Sequence, residues 1–383
     1  MDLTLTDEQR DFRRTAREFL DREVVPHRAA WDRRESVDLA IIGKLGDLGF
    51  FGLTIPEEYD GVGGDYTTYV LAAEELGRAD SSIRGIVSVS AGLFGSSVLR
   101  HGTEEQKRRW LPGIATGRLL GCFGLTEPGH GSDAGNLTSK AVLDGDEWVI
   151  DGEKIFITNG TWADVALVFA RTDGPGPRGV SAFLVPTDTP GFGRTEVTGK
   201  LGLRGQATAA LSFEGVRVPA DALLGERGEG FTIAMKTLDK GRVTIAASCV
   251  GIVQGCLEEV VAYTTQREQF GKPIASYQLV QDMIADISVD ADAARLLTWR
   301  AADLMNRGEP FGTAASKAKL FASEAAVRAA NLAVQAFGGY GFIDEYPVQK
   351  YLRDARVMTL YEGTSQVQKL LIGRAETGIS AFT

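Results

Sequence analysis

The chain has 383 residues, which at ~150 residues per domain suggests two or three domains, and its 44% hydrophobic and 24% charged residues are the balance of a globular protein. Lysine and arginine total 41 against 51 acidic residues, and the resulting net charge of −10 argues against a nucleic-acid binder, which needs a positive footprint. The 46 glycines beside only 12 prolines exclude a collagen-like or disordered chain and place glycine at turns and close backbone approaches.

Met1-Asp2-Leu3-Thr4 carries no basic leader pattern, and no apolar run reads as a membrane span, so a cytoplasmic protein is expected. Thr6-Asp7-Glu8-Gln9 is a capping box, and Phe12, Ala16, Phe19 and Leu20 follow at helical spacing. Thr103-Glu104-Glu105-Gln106 repeats the device, and Ala72 to Leu76 and Ile83 to Leu99 read as helices between them. Residues 1–120 are therefore expected to form a helical domain.

The pattern changes near Leu120. Asp144-Gly145 and Asp151-Gly152 are turn dipeptides flanking Trp148-Val149-Ile150, which predicts successive short antiparallel strands. Ala166 to Ala170, Val180 to Val185 and Leu211 to Phe213 continue it, giving a β domain over 121–226. Gly174-Pro175-Gly176-Pro177-Arg178-Gly179 matches G-x-G-x-x-G only formally, because two prolines fill it and a strand, not a helix, follows. From Gly228 the chain is helical again, broken at Gly271-Lys272-Pro273 and at Gly338-Gly339-Tyr340-Gly341, giving a third domain over 227–383. This α–β–α order is an α+β multidomain architecture and not a doubly wound sheet. Three cysteines without a C-x-x-C pair and three scattered histidines argue for reduced thiols and against a His/Cys metal site.

Four segments can carry chemistry. Leu125-Thr126-Glu127-Pro128-Gly129-His130-Gly131-Ser132-Asp133 is a loop able to cradle a polar ligand, or a structural turn. Arg267, in the last helical turn before Gly271, either complements the helix dipole or reaches an anion. Gln335-Ala336-Phe337-Gly338-Gly339 ends a helix with bare backbone, suited to a pyrophosphate or to a plain turn. Glu362, between Tyr361 and Gly363, sits at a break between helices. There it is either a desolvated general base or a helix-start carboxylate with Thr364 as the cap.

In this order, the segments LTEPGHGSD, FITNG, REQFGKP, QAFGGYG and YEGTSQ resemble the acyl-CoA dehydrogenase family along essentially the whole chain, to Thr383. The resemblance implies an N-terminal helical domain, a middle antiparallel β domain and a C-terminal four-helix bundle, assembled as a homotetramer. It implies FAD beside Phe123, Leu125, Thr126 and Ser132, with Phe156, Ile157 and Thr158 against its ring. Phe156 stands where many relatives have tryptophan. Arg267, Phe270, Gln278, Gln335, Gly338 and Gly339 would meet its ADP part, with help from a neighbouring subunit, and Thr364 and Gln366 would complete the site.

The same resemblance makes Glu362 the base that removes the α-proton of an acyl thioester while a β-hydride moves to flavin N5. Gly241 occupies the position where some relatives carry the base. Ser132, Arg242 and Gly363 would touch the substrate. Ala291 to Arg300 resembles short-chain enzymes, whereas Asp80-Ser81-Ser82-Ile83-Arg84 and the end of the chain resemble glutaryl-CoA dehydrogenases. Arg84 would then bind a distal carboxylate; its alternative is a local pair with Asp80. Gly77 stands where those enzymes carry a glutamate. The implied thioester is on CoA or on a carrier protein, with electron-transfer flavoprotein as electron acceptor.

Overall fold

The computed structural model describes residues 4–382, so the readings placed on Met1, Asp2, Leu3 and Thr383 lie outside it. Thr6 Oγ1 accepts from the Gln9 N–H at 3.2 Å, and Gln9 Oε1 accepts from the Thr6 N–H at 3.1 Å. That box starts α1 (Asp7–Glu23), which buries Ala16, Phe19 and Leu20. Short helices α2 (Arg28–Arg34) and α3 (Ala40–Asp47) lead to α4 (Tyr66–Ala79), whose buried stretch runs from Tyr69 to Ala79. Next come α5 (Ser81–Val87), a π-helical stretch Ser88–Gly95 and α6 (Ser96–His101) as one buried rod. The second capping box, Thr103 with Gln106, starts α7 (Glu104–Ala115).

The middle of the chain forms β1 (Gly121–Gly124), β2 (Lys140–Asp144), β3 (Glu147–Thr158), β4 (Val165–Arg171), β5 (Val180–Pro186), β6 (Phe192–Glu196), β7 (Thr208–Pro219) and β8 (Leu223–Leu224). Their order is β6-β7-β3-β2-β4-β5-β8, with β1 beside β4. The sheet is mixed and not wholly antiparallel, since β4 pairs parallel with both β1 and β2. The Asp144-Gly145 turn joins β2 to β3 as expected. Asp151-Gly152 is not a turn. It is an irregularity inside the continuous β3, where Gly152 has φ +139° and a Cβ would lie 2.5 Å from Ser139 Oγ. The dipeptide signal was real, but a neighbouring strand used it to bend β3 rather than to reverse it. The Gly174–Gly179 segment is the loop between β4 and β5.

One buried ion pair ties the LTEPGHGSD loop to this sheet. Glu127 accepts from the backbone and hydroxyl of Thr138 (2.6 and 2.7 Å), from those of Ser139 (2.9 and 2.6 Å), and from Lys154 Nζ at 2.7 Å. Burial alone would raise its pKa; the Lys154 charge and these donors win and hold it down at about 2.

The last part holds α8 (Gly230–Gln266), a small hairpin of β9 (Glu268–Gln269) and β10 (Lys272–Pro273), then α9 (Gln278–Asn306), α10 (Gly312–Phe337), α11 (Val348–Met358) and α12 (Ser365–Thr377). Arg267 lies one residue past the last turn of α8, in extended conformation, because the chain turns there into the hairpin. The inner face of α10 is almost all alanine, including Ala318, Ala322, Ala326, Ala329 and Ala333, which lets it lie close to α8. The crossing of α4 over α8 is tighter still: a Cβ on Gly251 would lie 2.0 Å from Glu74 O, and one on Gly77 would lie 2.3 Å from Ser248 O. Contrary to the expectation of no span-like run, Ser81–His101 and Gly230–Gln266 have the length and apolarity to cross a membrane. Their apolar windows are 89% and 67% buried inside the protein, so the apolarity is that of core helices.

Removing Glu127 strands the Lys154 ammonium and four donors, so Glu127→Ala should cost about 3–5 kcal/mol of stability. The carboxylate titrates at about 2 instead of 4.5, so its contribution is full above that ordinary value and fades as the pH falls toward 2. Thermal unfolding midpoints measured across that window should fall less steeply with acid in the variant than in the wild type.

Candidate active site

The break between α11 and α12 is built in a conformation that side chains avoid. Glu362 has φ +52° and Gly363 has φ +88°. A left-handed glutamate persists only where its surroundings over-determine it. Here they do. Thr364 Oγ1 caps α12 by accepting from the Val367 N–H at 3.2 Å. Gln368 Nε2 donates to Glu362 O at 3.2 Å and to Gly363 O at 3.0 Å, and Lys319 Nζ donates to Gly363 O at 2.8 Å. The Ser365 N–H closes the loop on Thr359 O at 3.0 Å. The cap half of the helix-start reading is thus present, but Glu362 is not a surface carboxylate.

Its Oε2 is out of solvent and has no hydrogen-bond partner. It lies against α8 at Gly241, where a Cβ would come within 2.1 Å of Oε2. Any larger residue at 241 would displace the carboxylate. Burial raises the Glu362 pKa to about 7, and Arg84, Lys319 and Arg242 work against that rise. A carboxylate poised near neutrality and out of water can take a proton from a weak carbon acid. Among the described residues the Glu362 N–H has no acceptor, so it remains available to an oxyanion. Arg242 approaches the same loop, with Nε 3.5 Å from Glu362 O, while its Nη1 pairs with Asp239.

Arg84 is 2% exposed and has no carboxylate partner among the described residues. Its Nη1 donates to Ser88 Oγ at 3.0 Å and its Nη2 to Tyr361 Oη at 2.5 Å, while Nε has no acceptor. The local-pair alternative fails, because Asp80 is used elsewhere. Asp80 caps α5 through the Ser82 N–H at 2.6 Å and pairs with Lys350 at 3.2 Å. A buried guanidinium with a free N–H close to the Glu362 carboxylate can receive a polar or anionic group. Tyr69, hydrogen-bonded to Thr244 Oγ1 at 2.9 Å, stands near the same two charges.

The expected cofactor residues fall into two groups. Phe123 lies in β1, Leu125 and Thr126 follow it, and the Thr126 carbonyl accepts from the Ile155 N–H at 2.9 Å, which brings the loop against Phe156, Ile157 and Thr158 on β3. Phe156 has φ +61° and is 64% exposed, a ring held out from the sheet. Around this strand end the buried oxygens Asn159 Oδ1, Gln206 Oε1 and Thr208 Oγ1 lack partners. Ser132 and Gln366 are exposed, and Thr364 and Gly363 lie in the Glu362 loop.

The second group lies at the far ends of α8 and α10. Arg267, Gln335, Gly338 and Gly339 line a cavity of about 510 Å³ with Tyr263 and Tyr340. Arg267 sits over the Tyr340 ring at 5.6 Å and has no carboxylate partner among the described residues. Phe270 is 93% exposed next to it, and Gln278 opens α9. No hydrogen bond joins the two groups among the described residues. The exposed ring, the orphaned oxygens and the arginine cavity suit a planar aromatic group with an anionic tail, the chemistry of FAD. Two residues that hold the Glu362 loop were not foreseen, Lys319 and Gln368. The available signal for Lys319 was a cation in register with Ala315 and Ser323 on the buried face of α10.

The acyl-CoA dehydrogenase N-terminal, middle and C-terminal domain models match residues 6–118, 122–216 and 228–377. The short-chain-specific acyl-CoA dehydrogenase of Clostridium acetobutylicum is 43% identical over 97% of this chain and 98% of its own length. The butyryl-CoA dehydrogenase structure from Megasphaera elsdenii superposes with a TM-score of 0.96 at 40% identity, covering 98% of this chain and 100% of that one. The glutaryl-CoA dehydrogenase structure from Mycobacterium smegmatis superposes at 0.95 with 37% identity, covering 99% and 97%. All three domains in order, and relatives matched almost end to end, mean that this chain belongs to the acyl-CoA dehydrogenase family of flavoprotein oxidoreductases.

Proposed function

We propose that the protein dehydrogenates a short or polar acyl thioester between Cα and Cβ, with Glu362 as the base. The observation that carries this reading is Glu362 Oε2, shielded from solvent, without a hydrogen-bond partner among the described residues and set against the bare backbone of Gly241. The β3-end group and the Arg267 cavity would hold FAD, which when bound would supply the acceptor for the β-hydride. The protein's own part is to strip the α-proton at Glu362 Oε2 and to steady the charge that grows on the thioester oxygen with the Glu362 N–H. Arg242, tied to Asp239, borders the loop on the thioester side.

The two cofactor groups are not joined within one chain, which supports a homotetramer in which a neighbour supplies the Arg267 group. Exposed Phe270, Leu279 and Phe342, near in sequence to residues that line that cavity or open α9, are apolar surface of the kind an assembly covers. The electron acceptor in this reading is electron-transfer flavoprotein. The thiol carrier is CoA, with a carrier-protein thioester as the alternative. A non-catalytic acyl-thioester binder has no use for a desolvated, strained glutamate.

Arg84 favours a second reading, an acyl chain ending in a carboxylate. Gly77 limits that reading: Ser248 O fills the space a side chain would need, so no glutamate can stand there. Dehydrogenation without decarboxylation fits this packing better.

Glu362→Gln should retain FAD and lose turnover on the order of 10²–10⁴-fold. Substrate bleaching of the flavin under anaerobic conditions reads this directly, and unchanged bleaching would remove Glu362 from the role. In the wild type, kcat/KM should rise as the pH passes upward through about 7, because only the ionised carboxylate accepts the proton. Arg84→Ala removes a cation that lowers the Glu362 pKa, so it should raise the acid limb for every substrate; compared well above that limb, it should cost a dicarboxylyl thioester about 10- to 100-fold more in kcat/KM than a butyryl one, the worth of a charged hydrogen bond. Equal losses on both would give Arg84 a structural role.

A further inference from the structure

Lys319 is fully buried on a face of α10 otherwise made of alanine and serine. Among the described residues no carboxylate lies within ion-pair distance of its ammonium, whose acceptor is Gly363 O at 2.8 Å. That carbonyl is already served by Gln368 Nε2 at 3.0 Å, so the loop does not need a second donor merely to satisfy it. A neutral donor would do the same work without the several kcal/mol that an unpaired buried cation costs. The feature that a neutral donor lacks is charge, and the charge sits one peptide unit from Glu362.

We propose that Lys319 is a positioning residue for the base: it holds the Glu362–Gly363 peptide unit in its left-handed conformation, and its positive charge favours the ionised form of the Glu362 carboxylate. The proposal rests on the reading of Glu362 as the base. It adds a residue that touches neither the reacting atoms nor the cofactor.

The groups facing Glu362 define the sign. Arg84 from α5, Arg242 from α8 and Lys319 from α10 are cations, while Tyr69 from α4 and the adjacent Tyr361 are neutral weak acids. Lys319 itself is faced by Cys249, Glu362, Arg242 and Glu324. Burial lowers its pKa to about 8, so it is charged where Glu362, at about 7, begins to ionise. Removing a cation from this set raises the proton affinity of Glu362.

The test uses the FAD-loaded enzyme with three substitutions. Lys319→Met removes donor and charge; Lys319→Gln keeps an amide donor for Gly363 O, protects the fold and removes only the charge. Both should move the acid limb of kcat/KM upward by about one pH unit. The infrared carboxyl band of Glu362, identified by its loss in Glu362→Gln, should titrate at the same higher pH. Gln368→Leu, which loosens the loop without changing charge, should lower kcat and leave both titrations in place. A Lys319→Gln holoenzyme whose carboxyl band titrates at the wild-type pH overturns the proposal. Full turnover in Glu362→Gln would instead overturn the reading on which it rests, so the two failures are distinct.

Discussion

The Glu362 carboxylate presses on α8 where the helix has no side chain. Oε2 sits so close to Gly241 that a single methyl group there would overlap it. Leaving a buried acceptor unsatisfied costs about 1–3 kcal/mol, more when it is charged. The surrounding structure offsets that cost. The α4–α8 crossing at Gly77 and Gly251 fixes α8, the alanine face of α10 brings Lys319 under the loop, and α12 returns Gln368 to it. The strained dihedral at Glu362 is the outcome of these contacts, since the loop must turn its carboxylate inward within six residues between two helices.

Three buried or nearly buried cations stand around one carboxylate. Arg84, Arg242 and Lys319 come from three different helices, and of them only Arg242 has an ion-pair partner, Asp239. A carboxylate so placed without cations would hold its proton through the neutral range. Fully exposed to water, it would sit in the ordinary carboxylate range and be a weak base. The value near 7 is a balance between burial and these charges, each set by packing. Tyr361 contributes to this balance indirectly by binding Arg84 through its hydroxyl and so steering that charge.

Local chemistry was readable from the sequence and long-range chemistry was not. Both capping boxes and the Asp144-Gly145 hairpin formed as expected, because each is decided within four residues. Asp151-Gly152 carried the same local signal and became a bend within β3, because Ser139 from the preceding strand lies against it. The choice for Arg84 between a local pair and a free guanidinium could not be made from Asp80 alone. It was decided by Lys350, far along the chain, which takes Asp80 away. Glu362 was readable as a candidate from its position at a break, but its desolvation depends on Gly241 and its charge on helices far apart in sequence. Lys319 looked like any lysine of a solvated helix until α10 was seen to bury that face.

The same packing bears on substrate chemistry. Arg84 presents a free N–H inside the protein, which favours an acyl group with a polar end. In a site that also removed carbon dioxide, a second carboxylate near that arginine would help manage the charge of the departing group. Here the position considered for it, Gly77, is closed by the carbonyl of Ser248, so no single substitution there can add one without parting α4 from α8. On the proposed reading, the α4–α8 crossing thus withholds the second carboxylate, and the enzyme stops at the unsaturated thioester.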